Sequence, residues 1–167
     1  MNNSIRIAIA ALLCVTAVGC KKAAKPTPPS DGGDRKEITQ PKDNTGKYTR
    51  ESLETDACLR SRVIYFDLDK TEIKDEFRQQ ISCHAEFQAQ FPDYKVTLEG
   101  NADERGSREY NLGLGERRGN AVQSALSSAG SRASLNVVSY GEERPTCKDH
   151  NEGCWSKNRR VEIVYAQ

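Results

Sequence analysis

The sequence predicts an α+β two-layer sandwich in the order β-α-β-α-β-β, with two main helices on one face of a mixed four-stranded sheet. Three observations carry this expectation. Four short runs are rich in β-branched and aromatic residues or alternate apolar with polar ones. Two longer segments repeat apolar residues at helical spacing. These two segments fall in the gaps between the first three short runs.

Residues 62–66, RVIYF, form the first predicted strand, and Asp67-Leu68-Asp69-Lys70 the loop after it. Residues 72–91 are predicted helical. At about 100° per residue, Phe77, Ile81, His84, Ala85, Gln88 and Phe91 share one face. His84 thus lies on the apolar face, as a hydrogen-bonded core histidine rather than a catalyst. Pro92 stops the helix. Residues 95–100 alternate as a second strand. A second helix is expected over 107–129, with Gly130 as its stop. Residues 135–140 are the third strand, and 145–158 a connection with a short helix near Trp155. Residues 160–165 are the last strand, with Val161, Ile163 and Tyr165 on one side and Glu162 on the other.

The expected domain runs over 52–167 and is preceded by two other segments. Residues 1–19 read as a signal peptide: Arg6 precedes an apolar run, 7–18, too short to span a bilayer. The ending Ala17-Val18-Gly19-Cys20 resembles a lipobox, which implies lipidation of Cys20, although a lipobox usually has leucine where Ala17 stands. The alternative is ordinary cleavage nearby, leaving a free thiol. Lys21 after the cysteine favours the outer membrane by the bacterial sorting pattern. Residues 20–51 are a linker. Four of the six prolines fall in it, its sequence cannot bury a core, and a flexible tether is expected. Lys21, Lys22 and Lys25 either touch anionic head groups or are simply solvated.

A mean hydropathy of −0.75 fits a water-soluble body apart from the N-terminus. Residues 51–167 hold sixteen basic against twenty acidic side chains, a balance that argues against nucleic acid. Setting aside Cys14 and Cys20, four of the six cysteines remain: Cys58, Cys83, Cys147 and Cys154. An even set in an exported domain points to disulfides. Three connectivities are possible. Cys147–Cys154 closes a short loop and is favoured, leaving Cys58–Cys83. A metal site from Cys147, His150 and Cys154 would have only three ligands, so neither metal nor cofactor is expected.

Residues 99–118, EGNADERGSREYNLGLGERR, carry the strongest signal. With Val122 at the centre of the second helix's buried stripe, Leu114, Ala125, Leu126 and Ala129 cluster around it. Arg118, four residues before Val122, falls on that stripe, while Arg117 falls to the side as a solvated residue. A guanidinium at that position calls for an acidic partner, and Asp103 is the natural neighbour. An internal salt bridge and a clamp for a zwitterion, with Asp103 on an ammonium and Arg118 on a carboxylate, stand equal on the pattern. Gly113, Gly115 and Gly119 do not match a dinucleotide fingerprint. They let the helix start lie close to backbone or ligand. Asp103 and Glu104 are adjacent and point apart, unlike a glycosidase pair. With two histidines and no nucleophile motif, an enzyme is not expected.

Four stretches, VIYFDLDKTEI (63–73), LEGNADERGSREYNLGLGERRGNAV (98–122), SYGEERP (139–145) and WSKNRRVEI (155–163), together resemble the peptidoglycan-associated lipoproteins of Gram-negative bacteria, within the OmpA-like domain family. The resemblance covers almost all of 58–165 and the lipobox. It implies a non-covalent binder of peptidoglycan whose ligand is the diaminopimelate of the stem peptide. It implies that the aspartate of N-x-D and the second arginine of L-x-x-x-R grip that group, here Asp103 and Arg118. Asp69, Asn101, Arg105 and Leu114 match further family contacts. Asn158 and Arg159 belong to a motif near the site. Tyr110 and Asn111 match the family, with a structural role left open. Gly119 departs from a usual alanine. The resemblance also implies partnership with TolB and other components of the Tol-Pal system, which supports envelope integrity and constriction during division.

Overall fold

A computed structural model describes residues 46–166. The signal segment, Cys20 and most of the linker lie outside the described residues. The elements are α1 (Ser52–Thr55), α2 (Ala57–Arg60), β1 (Val63–Tyr65), a 3-10 turn (Asp75–Phe77), α3 (Arg78–Gln90), β2 (Lys95–Asn101), α4 (Arg108–Ser128), β3 (Ser134–Gly141), α5 (Glu152–Asn158) and β4 (Arg160–Ala166). The four strands form one sheet in the order β1-β4-β2-β3. β2 and β3 run parallel, while β4 runs antiparallel to β1 and β2. The predicted α+β architecture is the observed one.

The parallel pair decides where the loops go. Two parallel neighbours need a crossover, and α4 supplies it. Residues 102–107 therefore leave the carboxyl end of β2 and lead into the start of α4. Ser107 caps that helix, its Oγ accepting the Tyr110 N–H at 3.2 Å. Gly130 ends it at a φ of +98°, where Ser131 N–H donates to Leu126 O at 3.0 Å. Two glycines of α4, Gly115 and Gly119, let the helix lie close against the sheet. A Cβ on Gly115 would come within 2.8 Å of Gly100 O on β2, and one on Gly119 within 2.5 Å of Val137 Cγ1.

The core follows the phases of the sequence. Ile64, Val96, Leu98, Val161 and Ile163 meet Ile81 and Ala85 of α3 and Val122 and Leu126 of α4. A second cluster joins Tyr48, Leu53, Leu59, Cys83, Phe87, Phe91 and Tyr94. α3 lies between the two clusters, so Gln80, Cys83 and Phe87 are buried beside the predicted stripe, on which Phe77 is only half-buried. His84 is a core histidine. Its Nε2–H donates to Ser61 O at 3.0 Å, leaving Nδ1 to accept from the Tyr165 hydroxyl at 2.8 Å. Burial pushes its pKa below the ordinary 6.5.

Two boundaries differ from the sequence reading. Packing begins before residue 52: Tyr48, assigned to the linker, is buried, and its N–H donates to Gln90 Oε1 at 3.1 Å. Hiding an aromatic ring is worth roughly 2 kcal/mol, enough to order a short segment around it. The helix expected from 72 begins at 75, because Lys74 is held extended and its Nζ pairs with Asp67 at 2.7 Å.

Both favoured disulfides are formed. Cys58–Cys83 ties α2 to α3, and Cys147–Cys154 closes the loop that enters α5. Of the three residues weighed as a metal site, Cys147 and Cys154 are bonded to each other, and His150 Nδ1 lies 2.6 Å from Glu104.

Candidate ligand-binding site

Asp103 sits two residues past the end of β2, where the chain turns back toward α4. The Arg105 N–H closes that turn on Asp103 Oδ1 at 3.1 Å. The carboxylate is buried and doubly paired. Arg105 reaches it through Nε at 3.1 Å and Nη2 at 2.6 Å, and Arg159 through Nη1 at 3.1 Å. Burial pushes its pKa up, but the hydrogen bonds from Arg105 and Arg159 outweigh this and hold it below the usual carboxylate value.

Arg118 projects from the buried stripe of α4, as the helical phase requires, and is fully buried. Its partner is not the expected acid. Nε donates to Lys70 O at 2.9 Å, Nη1 to Asn101 O at 2.9 Å and Nη2 to Asp67 O at 3.0 Å. Three carbonyl dipoles thus receive the charge, and Phe66 offers its ring face 5.3 Å away. Burial, followed by the like charge of Arg159, lowers its pKa to about 10, so it stays a cation at neutral pH. A guanidinium has five N–H donors; these three bonds leave two.

Both residues line one cavity of about 360 Å³, together with Asp69, Arg105, Leu114 and Arg159. Asp69 turns into the cavity from a left-handed backbone (φ 56°) and accepts a bond from the Tyr110 hydroxyl. Arg159 is anchored through Nε to Phe66 O at 3.0 Å and Nη2 to Glu152 at 2.6 Å. Arg117 is exposed, as its phase predicts.

Two named residues do not line this cavity. Asn158 fastens the approach to α5 instead: its Oδ1 accepts from Thr146 N at 2.9 Å and Cys147 N at 3.1 Å, and its Nδ2 donates to Cys147 O at 2.7 Å. Asn101 is buried beneath the site, where its carbonyl receives Arg118; its Oδ1 has no hydrogen-bond partner among the described residues.

Four lining residues were not assigned to the site: Leu68, Gly106, Tyr110 and Asn111. Tyr110 and Asn111 lie four and three residues before Leu114, so helical phase was the signal that finds them. Leu68 is exposed on the loop between Asp67 and Asp69, where side-chain direction has no period to read.

The fold matches a known class. The profile described as OmpA family covers residues 65–159, and the chain belongs to that family. Within it the chain sides with the peptidoglycan-associated lipoproteins. It is 41% identical to that protein of Pseudomonas putida over 167 residues, 95% of each chain. It is 43% identical to that of Pasteurella multocida over 121 residues, 72% of this chain and 78% of the relative. The crystal structure of the peptidoglycan-associated lipoprotein from Burkholderia pseudomallei superposes with a TM-score of 0.66 at 36% identity, covering 69% of this chain and 98% of that one. The C-terminal domain of Helicobacter pylori MotB shares the fold alone, with a TM-score of 0.58 at 21% identity over 63% of this chain and 84% of that one. Among the described residues, no helix is long and apolar enough to cross a membrane.

Proposed function

We propose that the chain is an outer-membrane lipoprotein that binds peptidoglycan non-covalently through the cavity of Asp103 and Arg118. Its ligand is the free end of diaminopimelate, which carries both an ammonium and a carboxylate. The observation that carries this reading is the sharing of one cavity wall by a buried, ionised aspartate and a buried guanidinium with two N–H groups unspent. The ammonium goes to Asp103 and the carboxylate to Arg118, with Asp69 and Tyr110 at the rim. Nothing in this arrangement calls for a nucleophile or a metal; it is a binding site rather than a catalytic one.

The names of the relatives support the wall contact, and the lipobox-like Ala17–Cys20 supports anchoring through lipidated Cys20, with residues 1–19 removed and the linker joining anchor to domain. The same resemblance supports a place in the Tol-Pal system, with TolB as partner and a role in envelope integrity and constriction at division.

Co-sedimentation of the full chain with purified sacculi tests the wall contact. Asp103→Ala, which leaves the ligand ammonium without its carboxylate, should lower affinity by roughly thirtyfold or more, and Arg118→Lys, which keeps the charge but loses the planar two-pronged donor, should lower it as well. Circular dichroism must show both variants folded. Undiminished sedimentation of both would sink the proposal, and release of soluble muropeptides would point to a cleaving enzyme instead.

A further inference from the structure

Every acceptor direction of the Asp103 carboxylate is already taken. Oδ1 receives the Arg105 backbone N–H and the Arg105 Nε, both at 3.1 Å. Oδ2 receives Arg105 Nη2 at 2.6 Å and Arg159 Nη1 at 3.1 Å. An ionised carboxylate accepts about four hydrogen bonds. An incoming ammonium therefore finds no vacant lone pair, and one donor must leave.

Arg159 is a poor candidate to move. It is buried and would also lose Phe66 O and Glu152. The backbone N–H of Arg105 belongs to the turn itself. The Arg105 side chain differs. It is 32% exposed, its Nη1 already lies 3.4 Å from Glu152, and its guanidinium stacks 4.2 Å from the Trp155 ring. A second carboxylate and an aromatic face are ready to receive it.

Resting on the reading of the site given above, we propose that Arg105 is its specificity-determining residue: its side chain occupies the cation position on Asp103, and a ligand ammonium displaces it onto Glu152 and Trp155. The exchange replaces one cation by another, so the charge at Asp103 is conserved. A ligand without a cationic group cannot supply the charge-assisted bonds that Arg105 gives up. It must bind with Arg105 in place and Asp103 out of reach. Arg105 thus filters ligands by the presence of the amine.

Isothermal titration of the full chain tests this with two probes. One is a stem tripeptide ending in meso-diaminopimelate, and the other the same peptide with the side-chain amine replaced by hydrogen. Arg105→Ala should bind the amine peptide roughly fivefold tighter than wild type, the scale of one partly exposed ion pair. It should show no gain for the des-amino peptide. Arg105 lies outside the main core clusters, and a thermal melt checks that the variant is folded. A gain absent for the amine peptide, or equal for both peptides, overturns the proposal while leaving the wall-binding reading intact. If neither wild type nor Arg105→Ala binds the amine peptide, the wall-binding reading falls as well.

Discussion

Arg118 and Asp103 face the same cavity without pairing with each other. The guanidinium is held by the carbonyls of Asp67, Lys70 and Asn101, and the carboxylate by Arg105 and Arg159. Each charge is neutralised by its own surroundings, so neither must be released from the other before a ligand enters.

Arg118 is consequently a strut of the fold as well as a proposed ligand group. Arg118→Met strands three carbonyl oxygens and should cost about 3 kcal/mol or more in urea unfolding. Asp103→Asn should cost less, because Arg159 keeps Phe66 O and Glu152. An Arg118→Met midpoint within error of wild type would show that the carbonyl bonds contribute nothing net.

The two histidines should titrate on opposite sides of 6.5. Burial lowers His84, whereas the hydrogen bond to Glu104 raises His150. For His84 the unfolded chain takes the proton first as pH falls. Its stabilising contribution is therefore complete above 6.5 and is lost from there down through its folded value. For His150 the sign reverses: its contribution is present below 6.5 and is lost as pH rises through its folded value. Ring-nitrogen NMR across this range reads both midpoints, and Glu104→Gln should return His150 toward 6.5. Identical midpoints in the wild type would contradict the assignment.

The glycines of α4 should part company on substitution. Gly113→Ala meets only the flexible end of Arg117 at 3.2 Å and should gain roughly 0.5–1 kcal/mol of helix propensity. Gly115→Ala runs into Gly100 O on β2 and should lose about 2 kcal/mol or more. Thermal melts separate the two, and a Gly115→Ala melt as high as that of Gly113→Ala would mean that the helix shifts freely off the strand.

The disulfides should differ in what their loss affects. By loop length, Cys58–Cys83, 25 residues apart, is worth about 3.5 kcal/mol and Cys147–Cys154, seven apart, about 2.5 kcal/mol. The shorter loop, however, leads into α5, which carries Glu152 and Trp155 to Arg105. Cys147→Ser/Cys154→Ser should therefore perturb stem-peptide affinity, while Cys58→Ser/Cys83→Ser should lower the melting point more. Calorimetric melts and titrations on both pairs compare them; equal effects on affinity would detach α5 from the site.

Much of this was legible in the sequence because it is periodic. Helical phase separated Arg118 from Arg117 and put His84 in the core, and period-two alternation set the strand faces. What the phase did not contain is main-chain direction. The partners of Arg118 are carbonyls at 67, 70 and 101, and no residue type advertises where its carbonyl points. An acid was expected because side chains are all that a sequence shows. Asp103 pairs with Arg105 two residues on because the chain folds back between them, a turn that spacing alone does not reveal. Tyr48 lay in a proline-rich segment whose composition masked a single buried ring.

Arg118 also sets a load path. It rises from α4, and its three bonds run to the loop after β1 and to the end of β2, an interior strand flanked by β4 and β3. Traction on a ligand gripped by that guanidinium is divided at once among helix, loop and strand. A domain strung between a membrane and a wall would then bear tension as a three-point fastening, spread through its sheet rather than concentrated on one helix.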